Sequence, residues 1–220
     1  MIYTVTFNPA LDYVMNLKQL QYKDINRTEC EQLYYGGNGI NVSVILSRLK
    51  VDNIALGFLA GFSGKKIEEM LNAENIKNDF VYLKKGYTRI NVKIKADEDY
   101  DINAQGPDIE LDELNALFDK FEKLKSGDFL VLAGSIPNSL PDDIYEEILA
   151  KLQNKGINFA VDATGDLLLN VLKYKPFLIK PNHHELGDVF GVEVKTEKEI
   201  AYYAKKLQEM GARNVLVSRS

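Results

Sequence analysis

Apolar residues recur with two different spacings along the chain, and the first is the spacing of β-strands. Ile2–Phe7 and Ile90–Lys95 alternate apolar and polar positions, which predicts strands with one solvated face. Residues 12–35 are polar and aromatic without a helical period, which favours strands and turns that project from the main body. Between these segments, Ile54–Phe62 is a predicted buried strand and Gly64–Leu71 a predicted helix.

In the second half of the chain, predicted strands and helices alternate. One helix begins near Pro141, and another near Thr196, where Glu199 completes a capping box. Gly156 and Gly211 are placed to end helices. The predicted strands of this half are Phe129–Ala133, Asn158–Val161, Phe177–Ile179 and Asn214–Val217.

Strands that are apolar on both faces and are separated by helices predict a parallel sheet that helices cover on both sides. The fold class is therefore α/β. We expect a single domain over residues 1–220 that carries a small β appendage, made from about residues 12–35 and 87–104.

The composition is that of an ordinary globular protein, with 45% hydrophobic and 27% charged residues. The net charge of −5 disfavours a nucleic-acid partner, because nucleic-acid-binding surfaces are usually basic. No apolar run is long enough to cross a bilayer, and the N-terminus does not resemble a secretory signal, so we expect no membrane partner. Cys30 is the only cysteine, which excludes an internal disulfide and favours a reducing, cytoplasmic compartment.

Small, polar or charged residues follow several predicted strands at the point where each strand ends. They are Asn8–Asp12, Gly134–Ser135, Asp162 and Lys180–Asn182, with Glu185 one turn later. Ligands of open α/β sheets bind beyond the carboxyl ends of the strands, so these residues are candidates for one site. Each of them is also a common turn or helix-capping residue, and the pattern alone does not name a ligand.

Gly36–Gly39 precedes a predicted helix and is a candidate anion-binding turn. Plain helix entry through glycines explains it equally well, since it lacks the third glycine of a dinucleotide fingerprint and the lysine of a P-loop. Arg27 and Arg89 lie in the appendage and are suited to phosphate, although an arginine on a half-exposed strand is usually solvated. His183 and His184 have no cysteine nearby, so we interpret them as structural residues and not as zinc ligands.

Five short motifs occur in order along the chain. They are Asn8-Pro9-Ala10-Leu11-Asp12, Gly36-Gly37-Asn38-Gly39-Ile40-Asn41-Val42-Ser43, Thr88-Arg89-Ile90-Asn91, Ala133-Gly134-Ser135-Ile136-Pro137 and Lys180-Pro181-Asn182-His183-His184-Glu185-Leu186. Together they closely resemble the ribokinase superfamily, in the branch of 1-phosphofructokinase and tagatose-6-phosphate kinase. Each motif alone is modest, but five in order are specific, and the resemblance spans the chain to about Ser218.

The resemblance implies a ribokinase-like three-layer sandwich, with a central, mostly parallel sheet and a small β lid. It implies phosphoryl transfer from MgATP to the free hydroxyl of a ketose phosphate, with fructose 1-phosphate converted to fructose 1,6-bisphosphate as the first choice. The partner is then a small-molecule sugar phosphate, and the lid often forms a homodimer contact in this family. The substrate-binding residues that the resemblance implies are Asp12, Gly37, Asn41, Arg89, Ser135 and Arg27.

ATP and Mg²⁺ are the cofactors that the same resemblance implies. Lys180, Asn182 and Ser218 would contact the nucleotide. Asn182 and Glu185 match the magnesium-site motif of the family and would act partly through water.

Two departures from the family pattern concern affinity and catalysis. Asn38 stands where the 1-phosphofructokinase branch commonly has lysine, which weakens the expected hold on phosphate. The Gly-x-Gly-Asp segment, which supplies the anion hole and the catalytic aspartate in this family, does not occur in residues 1–220. We therefore expect that the C-terminal part of the domain is missing, that the catalytic residue lies beyond Ser220 and that the chain is inactive alone.

Two other functions remain as alternatives: a tagatose-6-phosphate kinase and a non-catalytic sugar-phosphate-binding remnant. A nicotinamide oxidoreductase built on Gly36–Gly39 is disfavoured, because no acidic residue ends the strand Ile54–Phe62.

Overall fold

The computed structural model describes residues 1–219, which form strands and helices that alternate along most of the chain. The strands are β1 (Ile2–Thr6), β2 (Ala10–Asn16), β3 (Cys30–Gly36), β4 (Asn53–Ala60), β5 (Val81–Leu83), β6 (Arg89–Lys95), β7 (Asp99–Ile102), β8 (Phe129–Ala133), β9 (Asn158–Asp162) and β10 (Leu178–Ile179). The helices are α1 (Asn38–Arg48), α2 (Gly61–Ala73), α3 (Leu111–Phe121), α4 (Ile144–Leu152), α5 (Gly165–Val171), α6 (His183–Phe190) and α7 (Glu197–Glu209). Within this described part, no helix has the length and apolarity that a membrane span requires.

A six-stranded parallel sheet forms the centre of the body, in the order β10-β9-β8-β1-β4-β5. β1 is central: Val5 faces Leu132 of β8 on one side and Leu56 of β4 on the other. Since every neighbouring pair is parallel, all six strands end at the same edge of the sheet. The predicted α/β fold with a central parallel sheet is confirmed.

Apolar side chains pack in two clusters. The first contains residues of α1 and α2, such as Ile40 and Leu71, and the second contains residues of α3 to α7, such as Leu117. β4 contributes to both, because successive side chains of a strand point to opposite faces: Phe58 belongs to the second cluster and Leu59 to the first. The sheet is therefore the middle layer of a three-layer sandwich.

A second sheet of four strands, called the small sheet below, projects from the body in the order β3-β2-β6-β7. β2 is antiparallel to β3 and parallel to β6, and β6 is antiparallel to β7. Its strand β2 begins at Ala10, shortly after β1 ends, and β3 leads directly into α1. Cys30, the first residue of β3, is exposed. These connections hold the small sheet beside the edge at which the parallel strands end.

The prediction of a strand at Asn214–Val217 is wrong, because this segment forms no regular strand. Val215 and Ser218 form isolated parallel bridges to Ile179 and Asn182, respectively. The neighbour on that side, β10, is only two residues long, and in residues 1–219 the segment pairs with no strand on its other side. Its apolar residues therefore lie along the edge of the sheet without a continuous ladder.

Two helix boundaries also differ from the prediction. α4 begins at Ile144 and not near Pro141, because the Ile144 N–H bonds to the Pro141 carbonyl in a preceding turn. α2 begins at Gly61, directly at the end of β4, so Phe62 belongs to the helix and not to the predicted strand. Gly61 has a φ of 56°, a left-handed conformation that glycine adopts without strain and that ends the strand abruptly.

Leu117 and Leu111 on α3 provide a matched test of the core. Leu117 is 0% exposed, so we expect Leu117→Ala to lower the free energy of unfolding by about 2–5 kcal/mol. Leu111 is 74% exposed, and Leu111→Ala should change the free energy of unfolding by less than about 0.5 kcal/mol. Urea unfolding followed by circular dichroism measures both, and equal losses would contradict the orientation of α3.

Candidate functional site

A cavity of about 300 Å³ lies between the small sheet and the edge at which the parallel strands end. Four of the predicted substrate-binding residues line it, and they are Asp12, Gly37, Arg89 and Ser135. The rest of the lining is Thr6, Asn8, Ala10, Gly36, Asn38, Asn91 and Gly134. Residues that are distant in sequence meet here because the end of β1, the small sheet, the first turn of α1 and the turn after β8 share this edge.

Glycines allow α1 to begin directly against the end of β1. Gly37 has a φ of 126°, and a Cβ atom there would lie 2.6 Å from Thr6 Cγ2. A Cβ atom on Gly39 would lie 2.5 Å from the carbonyl oxygen of Val5. The Thr6 hydroxyl accepts the N–H of Ile40 at 2.9 Å, which satisfies one donor of the first helical turn. The partially positive N-terminus of α1 therefore lies at the cavity wall.

The carboxylate of Asp12 is held by a buried asparagine that the sequence analysis did not select. Asn91 is 6% exposed, and its Nδ2 donates to Asp12 Oδ1 at 2.8 Å. Asn91 Oδ1 accepts the N–H of Ala104 at 3.2 Å. Ala104 belongs to residues 103–107, which follow β7 and are called the strap below. The sequence pattern could have indicated Asn91, because it lies two residues after Arg89 and so on the same face of β6.

Arg89 is partly buried, and its guanidinium has few partners. Its Nη1 donates to the Ala104 carbonyl at 3.3 Å, and its buried Nε has no hydrogen-bond partner among the described residues. Burial lowers the pKa of Arg89, although the carboxylate of Asp12 opposes this shift. A buried donor without an acceptor destabilises the structure, so an anionic acceptor in the cavity would relieve this cost.

A smaller cavity of about 200 Å³ adjoins the first. Asn8, Arg89 and Ser135 line both cavities, and residues of the strap line the smaller one. The Asn8 side-chain amide donates to the carbonyl of Gln105 at 2.8 Å, which ties the strap to the end of β1. The two cavities therefore form one continuous polar site around Arg89.

Tyr145 supports the turn that carries Ser135. Its ring is fully buried and packs on Phe7 with a centroid separation of 5.7 Å. Its hydroxyl donates to the carbonyl of Gly134 at 2.9 Å. Burial, with a further contribution from the charge of Asp162, raises the pKa of Tyr145, so the hydroxyl remains a donor.

Two predicted residues do not reach the cavity. Asn41 is exposed on α1 and lines an outer groove with Tyr35 and Glu74. Arg27 is exposed in the connection between β2 and β3, and it lines none of the cavities described here. The structure therefore separates both residues from Asp12 and Arg89.

The predicted nucleotide- and metal-binding residues form a second group, two strands away from Ser135 in the sheet. Asn182 Oδ1 accepts the N–H of Glu185 at 2.9 Å, and Glu185 Oε2 accepts the N–H of Asn182 at 2.7 Å, which makes a capping box for α6. Ser218 pairs with Asn182 in a parallel bridge. Lys180 Nζ lies 3.4 Å from Asp162 Oδ1 of β9.

Mg²⁺ prefers oxygen ligands and keeps several of its waters. The Asn182 oxygen is already used as a helix cap, and Asp162 is paired with Lys180. Among residues 1–219, no three acidic, histidine or cysteine side chains converge on one point. The donors among these residues therefore form no cage of protein ligands, and they would fit only a hydrated ion that Glu185, whose Oε2 accepts the Asn182 N–H, reached through water.

The chain is similar to known proteins over its whole length. The sequence model described as "pfkB family carbohydrate kinase" matches residues 5–220. A 1-phosphofructokinase of Bacillus subtilis is 45% identical over 218 residues, which are 99% of this chain and 72% of that protein. A D-tagatose-1-phosphate kinase of Bacillus licheniformis is 38% identical over 220 residues, which are 100% of this chain and 72% of that protein.

A solved structure shows the same architecture. It is that of phosphofructokinase-2 from Escherichia coli in complex with fructose-6-phosphate, and it matches with a TM-score of 0.92 at 27% identity. The match covers 100% of this chain and 74% of that one.

The capping box of α6 can be tested separately from any role in binding. Asn182→Ala removes the acceptor of two N–H groups, and we expect it to lower the free energy of unfolding by about 1 kcal/mol. Asn182→Asp keeps an acceptor oxygen at the helix N-terminus and should change it by less than about 0.5 kcal/mol. Urea unfolding measures both variants, and an alanine variant as stable as the wild type would contradict this hydrogen bonding.

Proposed function

Because the chain belongs to the pfkB family of carbohydrate kinases, we propose that its cavity binds a ketose phosphate to which ATP donates a phosphoryl group. The observation that carries this proposal is the pairing of Asp12 with Arg89 in one polar cavity, where the buried Nε of Arg89 has no acceptor. A sugar phosphate fits both groups, since it offers hydroxyl donors to the carboxylate and oxygen acceptors to the guanidinium.

In the proposed complex, the two ends of the ligand bind different parts of the site. The sugar hydroxyls donate to Asp12, whose position Asn91 fixes. The phosphate lies against Arg89 and is favoured by the N-terminus of α1, where Gly37 permits a close approach of the backbone. Ser135 lines both cavities and so is available to either end of the ligand.

We take fructose 1-phosphate as the substrate and fructose 1,6-bisphosphate as the product. The similarity to the 1-phosphofructokinase of B. subtilis, at 45% identity, supports this choice. Tagatose 1-phosphate is the second candidate, because a D-tagatose-1-phosphate kinase is 38% identical to the chain. The two sugars differ only in the configuration at C4, so the hydroxyl contacts of the ligand would discriminate between them.

Lys180, Asn182 and Ser218 are the residues that we assign to the nucleotide, and Glu185 holds Mg²⁺ through water. When bound, MgATP supplies the phosphoryl group and neutralises charge on the phosphates. These residues follow β10 or pair beside it, at the same edge of the sheet as Ser135. Lys180 is held near that edge by its ion pair with Asp162.

We further propose that residues 1–220 act as one unit, with the small sheet and its connections, about residues 12–35 and 87–104, as a lid over the sugar. β3 is an edge strand of the small sheet, and it exposes 40% of Leu33 and 49% of Tyr34. An exposed edge strand with apolar side chains is a suitable contact for a second copy, which supports a homodimer formed through the lid.

The first functional test concerns the phosphate end of the site. Arg89→Ala removes the only guanidinium in the cavity lining, and we expect it to weaken fructose 1-phosphate binding about tenfold to a hundredfold. Arg48→Ala removes the same charge from an exposed position on α1 and should leave the affinity within about twofold. Isothermal titration calorimetry measures both.

The same titrations with neutral fructose separate the two ends of the ligand. Asp12→Asn should weaken fructose and fructose 1-phosphate alike, because it changes the hydroxyl end, whereas Arg89→Ala should affect only the phosphorylated sugar. An Arg89→Ala variant that binds fructose 1-phosphate as tightly as the wild type would refute this assignment of the cavity.

A second functional test concerns the general base. No Gly-x-Gly-Asp segment occurs in residues 1–220, and loss of a general base typically lowers the rate by about 10²–10⁴. We therefore expect a polypeptide of these 220 residues to bind fructose 1-phosphate but to phosphorylate it at least about a hundredfold more slowly than the longer B. subtilis relative. A coupled assay of ADP release compares the two proteins, and comparable turnover would contradict the expectation.

A further inference from the structure

Thr88, the last residue before β6, makes three hydrogen bonds to the junction of β4 and α2, two with Ala60 and one with Ser63. Its N–H donates to the Ala60 carbonyl at 2.9 Å, and its hydroxyl accepts the Ala60 N–H at 2.9 Å. Its carbonyl accepts the hydroxyl of Ser63 at 2.6 Å. Thr88 is 1% exposed and Ser63 is 0% exposed, so water does not compete for these bonds.

Two glycines let the neighbouring segments approach this contact closely. A Cβ atom on Gly61 would lie 2.8 Å from the carbonyl oxygen of Gly86, and one on Gly64 would lie 3.0 Å from the Thr88 hydroxyl. Since β4 is an inner strand of the parallel sheet, Thr88 is attached to the central sheet of the body. The small sheet leaves the body immediately after it, at Arg89.

We propose that Thr88 and Ser63 are positioning residues that fix Arg89 to the body, so that its guanidinium meets the anionic group of the sugar phosphate. The proposal rests on the proposed function, in which Arg89 binds that group. Neither Thr88 nor Ser63 lines the cavity, so both act through Arg89.

The bonding of Arg89 itself explains why its backbone must be fixed. Its side chain makes one long hydrogen bond, at 3.3 Å to Ala104, and its Nε makes none. The Ala104 carbonyl therefore holds the guanidinium only weakly, and the position of the guanidinium depends on where the backbone of Arg89 lies. That backbone is fixed on one side by Thr88 and on the other by pairing with Ala10 of β2.

Matched substitutions at Thr88 test this positioning. Thr88→Val keeps the shape of the side chain but removes the acceptor of the Ala60 N–H. We expect it to weaken fructose 1-phosphate binding about tenfold, while Thr88→Ser, which keeps the hydroxyl, stays within about twofold. Ser63→Ala removes one bond from the same contact and should weaken binding about threefold, which provides a second route if Thr88→Val does not fold.

A double-mutant cycle with Arg89→Ala distinguishes positioning from a general loss of structure. If Thr88 acts through Arg89, Thr88→Val and Ser63→Ala will have almost no further effect on fructose 1-phosphate binding in the Arg89→Ala background. Protein-observed NMR titration measures the weak affinities. Losses of equal size in both backgrounds, or no loss in the wild-type background, would overturn the proposal.

Hydrogen exchange at the Arg89 Nε–H gives a readout that needs no ligand. This atom is buried in the structure, and we expect its exchange to become about tenfold faster in Thr88→Val and Ser63→Ala but not in Thr88→Ser. Unchanged exchange in both removal variants would overturn the proposal. If Arg89→Ala alone leaves fructose 1-phosphate binding intact, the proposed function fails, and the exchange rates still decide whether Thr88 and Ser63 position Arg89.

Discussion

The close approach of α1 to the end of β1 is the constraint on which the site depends. The carbonyl of Val5 and the side chain of Thr6 occupy the space where any Cβ atom on Gly39 would lie. Because only glycine fits there, the helix begins beside the strand end, and the Thr6 hydroxyl replaces a missing helical acceptor. This places the positive end of a helix, the start of β2 and the polar ends of the parallel strands around one cavity. A side chain at position 39 would push α1 away from the end of β1. It would therefore disturb the shape of the cavity even though it contacts no ligand.

The carboxylate of Asp12 and the guanidinium of Arg89 are both tied to the backbone of Ala104. Asn91 links Asp12 to the N–H of Ala104, and Arg89 binds the carbonyl of Ala104. The strap therefore connects the two groups that we propose to bind the sugar and the phosphate, and Asn8 connects the strap to the end of β1. A ligand that binds both ends contacts one connected hydrogen-bond network, which favours molecules that carry hydroxyls and an anionic group at a fixed separation.

Periodicity was sufficient to predict the parallel sheet, because strands that are apolar on both faces need helices on both sides. That Asp12 and Arg89 share a site was implied by the family resemblance, and their closeness follows from the register of the small sheet, in which Arg89 pairs with Ala10. Asn41 was likewise implied by the resemblance, and the rotation of α1, which decides which face of the helix meets the cavity, leaves it on the outer groove. Tyr145 supports the turn after β8 through tertiary packing, and no local sequence pattern indicates this contact. The strand predicted at 214–217 has suitable residues, but a ladder also needs neighbours, and those depend on the rest of the sheet.

The exposed position of Cys30 has a practical consequence for spectroscopy. It is the only thiol of the chain, and it lies at the start of β3, on the small sheet and outside the cavity lining. Its sulfur accepts only a weak bond from the Asn16 amide at 3.3 Å, so alkylation would disturb little of the surrounding structure. A fluorophore or spin label can therefore be attached to the native sequence at one defined point. Such a label reports the mobility and the surroundings of the small sheet, and no cysteine has to be introduced or removed.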